Sequence, residues 1–185
     1  KEAAGALSTL ALNNPSNQLA IATGLVALLG SGSAEAQEHV TLLLLSLASD
    51  ADNREAIAKA GAVKRLVNQL AGGGSTSIKA QELAAAALSH LSGDSDENVR
   101  AIYEADGIEP LVEMLNAESA EGQAHAAAVL SDMTRVYRED VVEEGCIETL
   151  VKLLSEGAGV DIKAEAANAL WSLAAGSPDT QSLVV

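Results

Sequence analysis

The chain has 185 residues, 48% of them hydrophobic and 2% aromatic, with three prolines and no phenylalanine. That is long enough to bury a core, and an Ala/Leu-rich, aromatic-poor composition suits close-packed helices while arguing against sheets and against disorder. Twenty-six acidic against eleven basic residues leave a formal charge of −15, which repels a phosphate backbone, disfavours nucleic acid as a ligand and favours cationic partners at low salt.

In chain order, residues 1–12 read as an alanine-rich helix that closes an incomplete unit. A unit at 13–48 follows, in which the polar stretch SGSAEAQ (31–37) leads into a long helix ending near Ala48. The unit at 49–92 opens with NREAIAKAG (53–61), where Asp52 is placed to cap, Ile57 faces inward and Gly61 allows the left-handed turn that stops a helix. Its second helix is AVKRLVNQL (62–70), its loop AGGGSTS (71–77), and its long third helix runs from Ile78 to Leu91. The unit at 93–134 repeats this grammar, with Asp96 as cap, Ile102 inward, and Ile108, Leu111, Val112 and Leu115 at i, i+3, i+4 and i+7. Pro110 sits in the first turn of that second helix, where a missing N–H costs nothing. A unit at 135–175 carries CIETLVKLL (146–154) and a third helix ending near Ala174, and Pro178 to Val185 begins the first helix of another, partial unit at 176–185.

The chain aligns with itself on Gln37, Gln81, Gln123 and Lys163. Each is followed seven residues on by a leucine (Leu44, Leu88, Leu130, Leu170) and ten on by Leu47, Leu91, Met133 or Leu173. The anchors lie 44, 42 and 40 residues apart. An all-helical unit of that length cannot bury its own apolar face and must stack on its neighbours.

The pattern N-R-x-x-I-x-x-A-G-A-V-x-x-L-V, then Q-E-x-A-A-x-A-L-x-x-L, stands at Asn53 to Val67 and Gln81 to Leu91, with the same frame at 98–133 and 137–173. It resembles the armadillo repeat over essentially the whole chain. The resemblance implies an all-α fold, a right-handed α-solenoid superhelix with three helices per repeat, as one domain over residues 1–185. HEAT repeats are the runner-up but lack the short first helix and the Gly before the second. One irregularity stands out: Ile21 to Leu25 spans four residues where Ile57 to Leu66 and Ile102 to Leu111 each span nine. Either the turn between the first two helices is lost there, or about five residues around Gly24 are absent. The second is favoured, because losing the turn would disrupt an apolar face that the stack needs.

Members of this family hold extended peptides in a concave groove lined by third helices. They do so through the asparagine of A-L-x-N-L and, in importins, a tryptophan four residues earlier. Carried across, the asparagine site is Thr9, Ser46, His90, Asp132 and Ser172, and the tryptophan site is Leu42, Ala86, Ala128 and Asn168. Neither ladder is present, which disfavours importin-type capture of a nuclear localisation signal. Trp171 lies one residue before the asparagine site and reads as a packing residue.

Stepping back along each third helix from the asparagine site collects the residues sharing its face. The partner-binding candidates on it are Glu35, His39 and Ser46; Lys79 and His90; Glu121, His125 and Asp132; and Asp161, Glu165, Asn168 and Ser172. All three histidines fall on this stripe. Acidic groups interspersed with His favour a basic protein or peptide segment, with binding that varies between about pH 6 and 7. Equivalent positions in neighbouring repeats lie roughly 10 Å apart, too far to share a metal. No phosphate loop, H-E-x-x-H or C-x-x-C occurs, so no catalytic residue, cofactor or metal site is expected.

The expected function is a non-catalytic protein-binding scaffold. The alternative is a structural or spacer subunit of a larger assembly, contacted through its convex face and ends. The single cysteine, Cys146, has no internal disulfide partner, and an intracellular, cytoplasmic setting is the default. VTLLLLSLA (40–48) is far shorter than the roughly 20 residues of a membrane span, so direct membrane insertion is not expected. The chain starts at Lys1 without Met and inside a helical pattern, which reads as part of a longer chain or complex whose bare ends would self-associate in isolation.

Overall fold

The computed structural model describes residues 2–30, 33–72, 76–93, 95–155 and 159–175. Among these, every regular element is an α-helix: α1 (Glu2–Ala11), α2 (Pro15–Leu29), α3 (Ala34–Ala48), α4 (Ala51–Lys59), α5 (Ala62–Leu70), α6 (Ile78–Ser92), α7 (Asp96–Glu104), α8 (Ile108–Leu115), α9 (Ala120–Glu143), α10 (Cys146–Ser155) and α11 (Val160–Ala174). The chain divides into two compact units, Lys1–Leu91 and Ser92–Val185. Residues 73–75 of the expected loop and the expected helix from Pro178 to Val185 lie outside the described residues.

In the first unit the periodic leucines form the core. Leu44, Leu47, Leu88 and Leu91 are buried, as are Val63, Leu66, Val67 and Leu70 along one face of α5. Ala80, Ala84, Ala85 and Ala87 are buried on α6, where a side chain of one carbon lets neighbouring backbones approach closely. Polar groups inside this core are partnered, as burial requires. Thr41 Oγ1 lies 3.0 Å from Gln69 Oε1, and Gln69 Nε2 donates to the Ala80 carbonyl at 3.3 Å. First-helix asparagines close the helix before them: Asn17 Nδ2 donates to the Leu10 carbonyl at 2.8 Å and Asn53 Nδ2 to that of Leu47 at 3.2 Å.

Two expectations are corrected here. Residues 15–29 form one uninterrupted helix, so the first two helices of this repeat are fused. Ala22, Leu25, Val26 and Leu29 are buried at i, i+3, i+4 and i+7, so the apolar face survives the loss of the turn that was expected to break it. Gly24 plays no part in this, since a Cβ there would meet nothing within 4 Å. The caps also shift. Asp50 caps α4 by accepting from the Asp52 N–H at 3.1 Å, and Ser95 caps α7 by accepting from the Asn98 N–H at 3.2 Å. Asp50 and Ser95 have the extended backbone typical of a residue that caps through its side chain. Asp52 and Asp96 lie one or two residues inside the first turn, where they favour the positive end of the helix dipole.

In the second unit Leu111, Leu115, Leu130, Met133, Leu150, Leu170 and Leu173 are buried. α9 continues for 24 residues through the expected repeat boundary near Thr134, and only Tyr137 (φ −124°, ψ 41°) leaves helical geometry. TRVYRED (134–140) contains no Gly, Pro or Ser to stop a helix, so the third helix of one repeat joins the first helix of the next through a kink. The Tyr137 ring stacks on Tyr103 with centroids 3.8 Å apart and planes 4° from parallel. Tyr103 in turn donates its hydroxyl to Asp140 Oδ1 at 3.0 Å, which ties α7 to the kink and to the turn that follows it.

The corner between α7 and α8 departs from the expectation that its glycine is the left-handed residue. Asp106 takes that conformation (φ 59°), whereas Gly61 (φ 81°) and Gly145 (φ 79°) do so in the equivalent corners. Gly107 has φ −79° and is needed for space: a Cβ there would lie 2.6 Å from Ile102 Cγ2 and 2.7 Å from the Ile102 carbonyl oxygen.

Candidate binding surface

The third helices α3, α6, α9 and α11 place the twelve candidates on faces that keep contact with solvent. In the first unit Glu35, His39 and Lys79 are exposed, and Ser46 and His90 are half-buried. In the second unit Glu121, Asp161 and Asn168 are exposed, and His125, Asp132, Glu165 and Ser172 are half-buried. Two residues before Ser46, His90, Asp132 and Ser172, on the opposite side of each helix, Leu44, Leu88, Leu130 and Leu170 are buried, so the stripe and the core are two sides of the same helices.

Several candidates are engaged by their neighbours. Lys79 Nζ meets Glu82 Oε2 at 2.7 Å. The Ser172 hydroxyl lies 3.0 Å from that of Ser131 across α9 and α11, and Arg138 Nη2 donates to the Ser172 carbonyl at 3.1 Å. Asp132 is held at both oxygens: Arg135 Nη1 donates to Oδ1 at 2.8 Å and the Ser92 hydroxyl to Oδ2 at 2.7 Å. Burial first, then the nearby Arg54 guanidinium, push the His90 imidazole below its ordinary pKa of 6.5. His90 is therefore mostly neutral at pH 7, with its protonation shifted to the acid side of its ordinary range.

Trp171, read from the sequence as a packing residue, lies shortly before residues 176–185 in the chain, which are outside the described residues. It is 73% exposed on the α11 face that also carries exposed Val160, Ala164 and Ala167, so it does not pack among the described residues. Cys146 is buried, its thiol donating to the Val141 carbonyl at 3.2 Å. Burial, only partly offset by a backbone hydrogen bond, pushes that thiol up to about 11. Away from the stripe, the second unit has an open cavity of about 400 Å³ among Tyr103, Asp106, Ile108, Asp140 and Glu143, which sequence reasoning missed because its residues come from three helices and a corner. Arg135 was missed too, although its place three residues after Asp132 put it within helical reach. Among the described residues no three of His, Cys, Asp and Glu converge to hold a metal, and no helix is long and apolar enough to cross a membrane.

A family model described as the armadillo/beta-catenin-like repeat matches residues 50–93, 95–135 and 136–175. Two curated proteins of Arabidopsis thaliana are similar at 27% identity. Protein CELLULOSE SYNTHASE INTERACTIVE 3 aligns over 127 residues, 67% of this chain and 6% of that protein. Protein CELLULOSE SYNTHASE INTERACTIVE 2 aligns over 163 residues, 84% of this chain and 8% of that protein. The chain thus spans less than a tenth of the length of these relatives. Among solved structures, an engineered protein is 34% identical with a TM-score of 0.77, covering 88% of this chain and 66% of that one. A designed armadillo repeat protein in complex with the peptide (KR)4 has a TM-score of 0.82 at 23% identity, covering 99% of this chain and 79% of that one, a likeness of fold alone.

Proposed function

This chain belongs to the armadillo/beta-catenin-like repeat family, and we propose that it is a non-catalytic scaffold binding a basic, Lys/Arg-bearing peptide segment along the groove its third helices line. One observation carries the reading. In both units the polar stripe of the third helices keeps solvent contact while the adjoining leucines are buried. With a formal charge of −15, acidic members of that stripe such as Glu35, Asp161 and Glu165 favour a cationic ligand. The designed armadillo protein crystallised with (KR)4 makes that peptide a suitable probe; the chemistry expected of this chain rests on its own charges.

Fluorescence anisotropy with labelled (KR)4 tests the reading. Wild-type protein should bind it in a salt-sensitive manner, and Asp161→Lys/Glu165→Lys should weaken binding at least about tenfold. Binding that survives this reversal but is lost on changing Glu113 and Lys152 of the second helices would favour the other function instead, a spacer contacted through its outer face. That second reading draws on one fact, the small share of its long relatives that this chain spans.

A further inference from the structure

We propose that Arg135 is a built-in counterion that occupies Asp132 in place of a partner's cation, so that a basic segment engages this repeat only by displacing it. The inference rests on the groove reading above. Asp132 is the one carboxylate at the position corresponding to the family's peptide-gripping asparagine; the others are Thr9, Ser46, His90 and Ser172. It is also the one followed three residues later by a cation. The matching positions after Ser46, His90 and Ser172 are Ser49, Gly93 and Ala175, where the third helix has ended. α9 does not end there. Because it runs on through TRVYRED, Arg135 is helical and faces Asp132 one turn back.

The guanidinium spans three acceptors: Asp132 Oδ1 at 2.8 Å, Asp96 Oδ1 at 3.2 Å and the Ser92 carbonyl at 3.4 Å. With the Ser92 hydroxyl on Oδ2, the Asp132 carboxylate is neutralised and its orientation fixed. The arrangement is nonetheless open to exchange. The Arg135 side chain is 41% and that of Asp132 24% exposed, and Asp96, at 60%, can retain Arg135 after it leaves Asp132. Ion pairs this exposed are weak enough for a multivalent basic ligand to replace. The repeat would then discriminate by charge density: a lone lysine gains little from the swap, whereas adjacent cations can displace Arg135 and hold neighbouring acidic sites together.

The test is anisotropy with labelled (KR)4 on the wild type, Arg135→Gln, Asp132→Asn and the double variant, with helicity and melting temperature recorded for each. Arg135→Gln should bind about threefold to tenfold tighter, and the gain should vanish in the double variant. Arg135→Lys, which lacks the planar fork, should fall between. Unchanged or weaker binding by a folded Arg135→Gln overturns the proposal. If that variant does not fold, an Arg135→Lys affinity no better than wild type overturns it instead. Failure of every variant to bind, or binding that Asp161→Lys/Glu165→Lys leaves intact, overturns the groove reading and this proposal together. Groove-dependent binding that Arg135→Gln does not tighten overturns this proposal alone.

Discussion

Gln81 on α6 donates its side-chain Nε2 to the carbonyl of Leu70, the last residue of α5, 2.8 Å away. Gln123 does the same for Leu115 at 3.1 Å and Gln37 for Leu29 at 3.4 Å. The last carbonyls of a helix have no intrahelical partner, so in three of the four aligned repeats a glutamine closes the helix before the third; the fourth has Lys163 at that position. Gln81→Leu should cost about 1–2 kcal/mol, seen as a lower urea midpoint with the helical signal retained. An unchanged midpoint would mean that water serves the Leu70 carbonyl equally well.

The α7–α8 corner separates two uses of glycine. Gly107→Ala drives a Cβ into the Ile102 backbone and side chain and should destabilise by about 1–3 kcal/mol. Asp106→Gly relieves a left-handed aspartate and should be neutral or mildly stabilising. Thermal melts of the two variants check the assignment; equal losses would show that the corner tolerates neither change and that Asp106 has a further role.

His90 makes stability depend on pH on the acid side. Its folded-state pKa lies below the ordinary 6.5 because of burial and then Arg54. Neutral His90 therefore contributes its full stability above pH 6.5, and this is lost as pH falls through the lower folded value. His90→Gln should flatten the fall in urea midpoint between about pH 7 and 5. A wild-type slope retained in the variant would assign the acid sensitivity to other groups.

Cys146 should be inert in the native protein. Its thiol is raised from 9.0 to about 11, so the group stabilises the fold fully below pH 9 and that stabilisation is lost between 9 and about 11. Native protein at about pH 8 should react with a maleimide only as fast as it unfolds. Stoichiometric labelling within minutes, without denaturant, would contradict the buried placement.

The repeat was legible because burial is periodic. Leu44, Leu88, Leu130 and Leu170 recur at fixed distance from Gln37, Gln81, Gln123 and Lys163, and each proves buried. What stayed hidden depends on contacts between distant positions or on the absence of a stop signal. Nothing local to Ile21–Leu25 reveals that a fused α2 keeps its apolar face, nor does TRVYRED announce a kink at Tyr137 held by Tyr103. The candidate stripe followed from helical spacing, but its charge state did not. Asp132 is bound by Arg135 and Ser92, and His90 is mostly neutral at pH 7, facts set by neighbours that spacing alone does not bring together. Trp171 reads as a packing residue because tryptophan usually buries; among the described residues, which end before 176–185, α11 leaves it in solvent.

The most direct test of third-helix recognition is site-specific photocross-linking of biotinylated (KR)4 to protein carrying benzoylphenylalanine at Asn168 or, separately, at Lys152. Both positions are exposed, so accessibility does not bias the comparison. A cross-link that forms at Asn168, is competed by unlabelled peptide and is absent at Lys152 is the expected result. Competed cross-linking at Lys152 with none at Asn168 would contradict it and move the binding surface to the second helices.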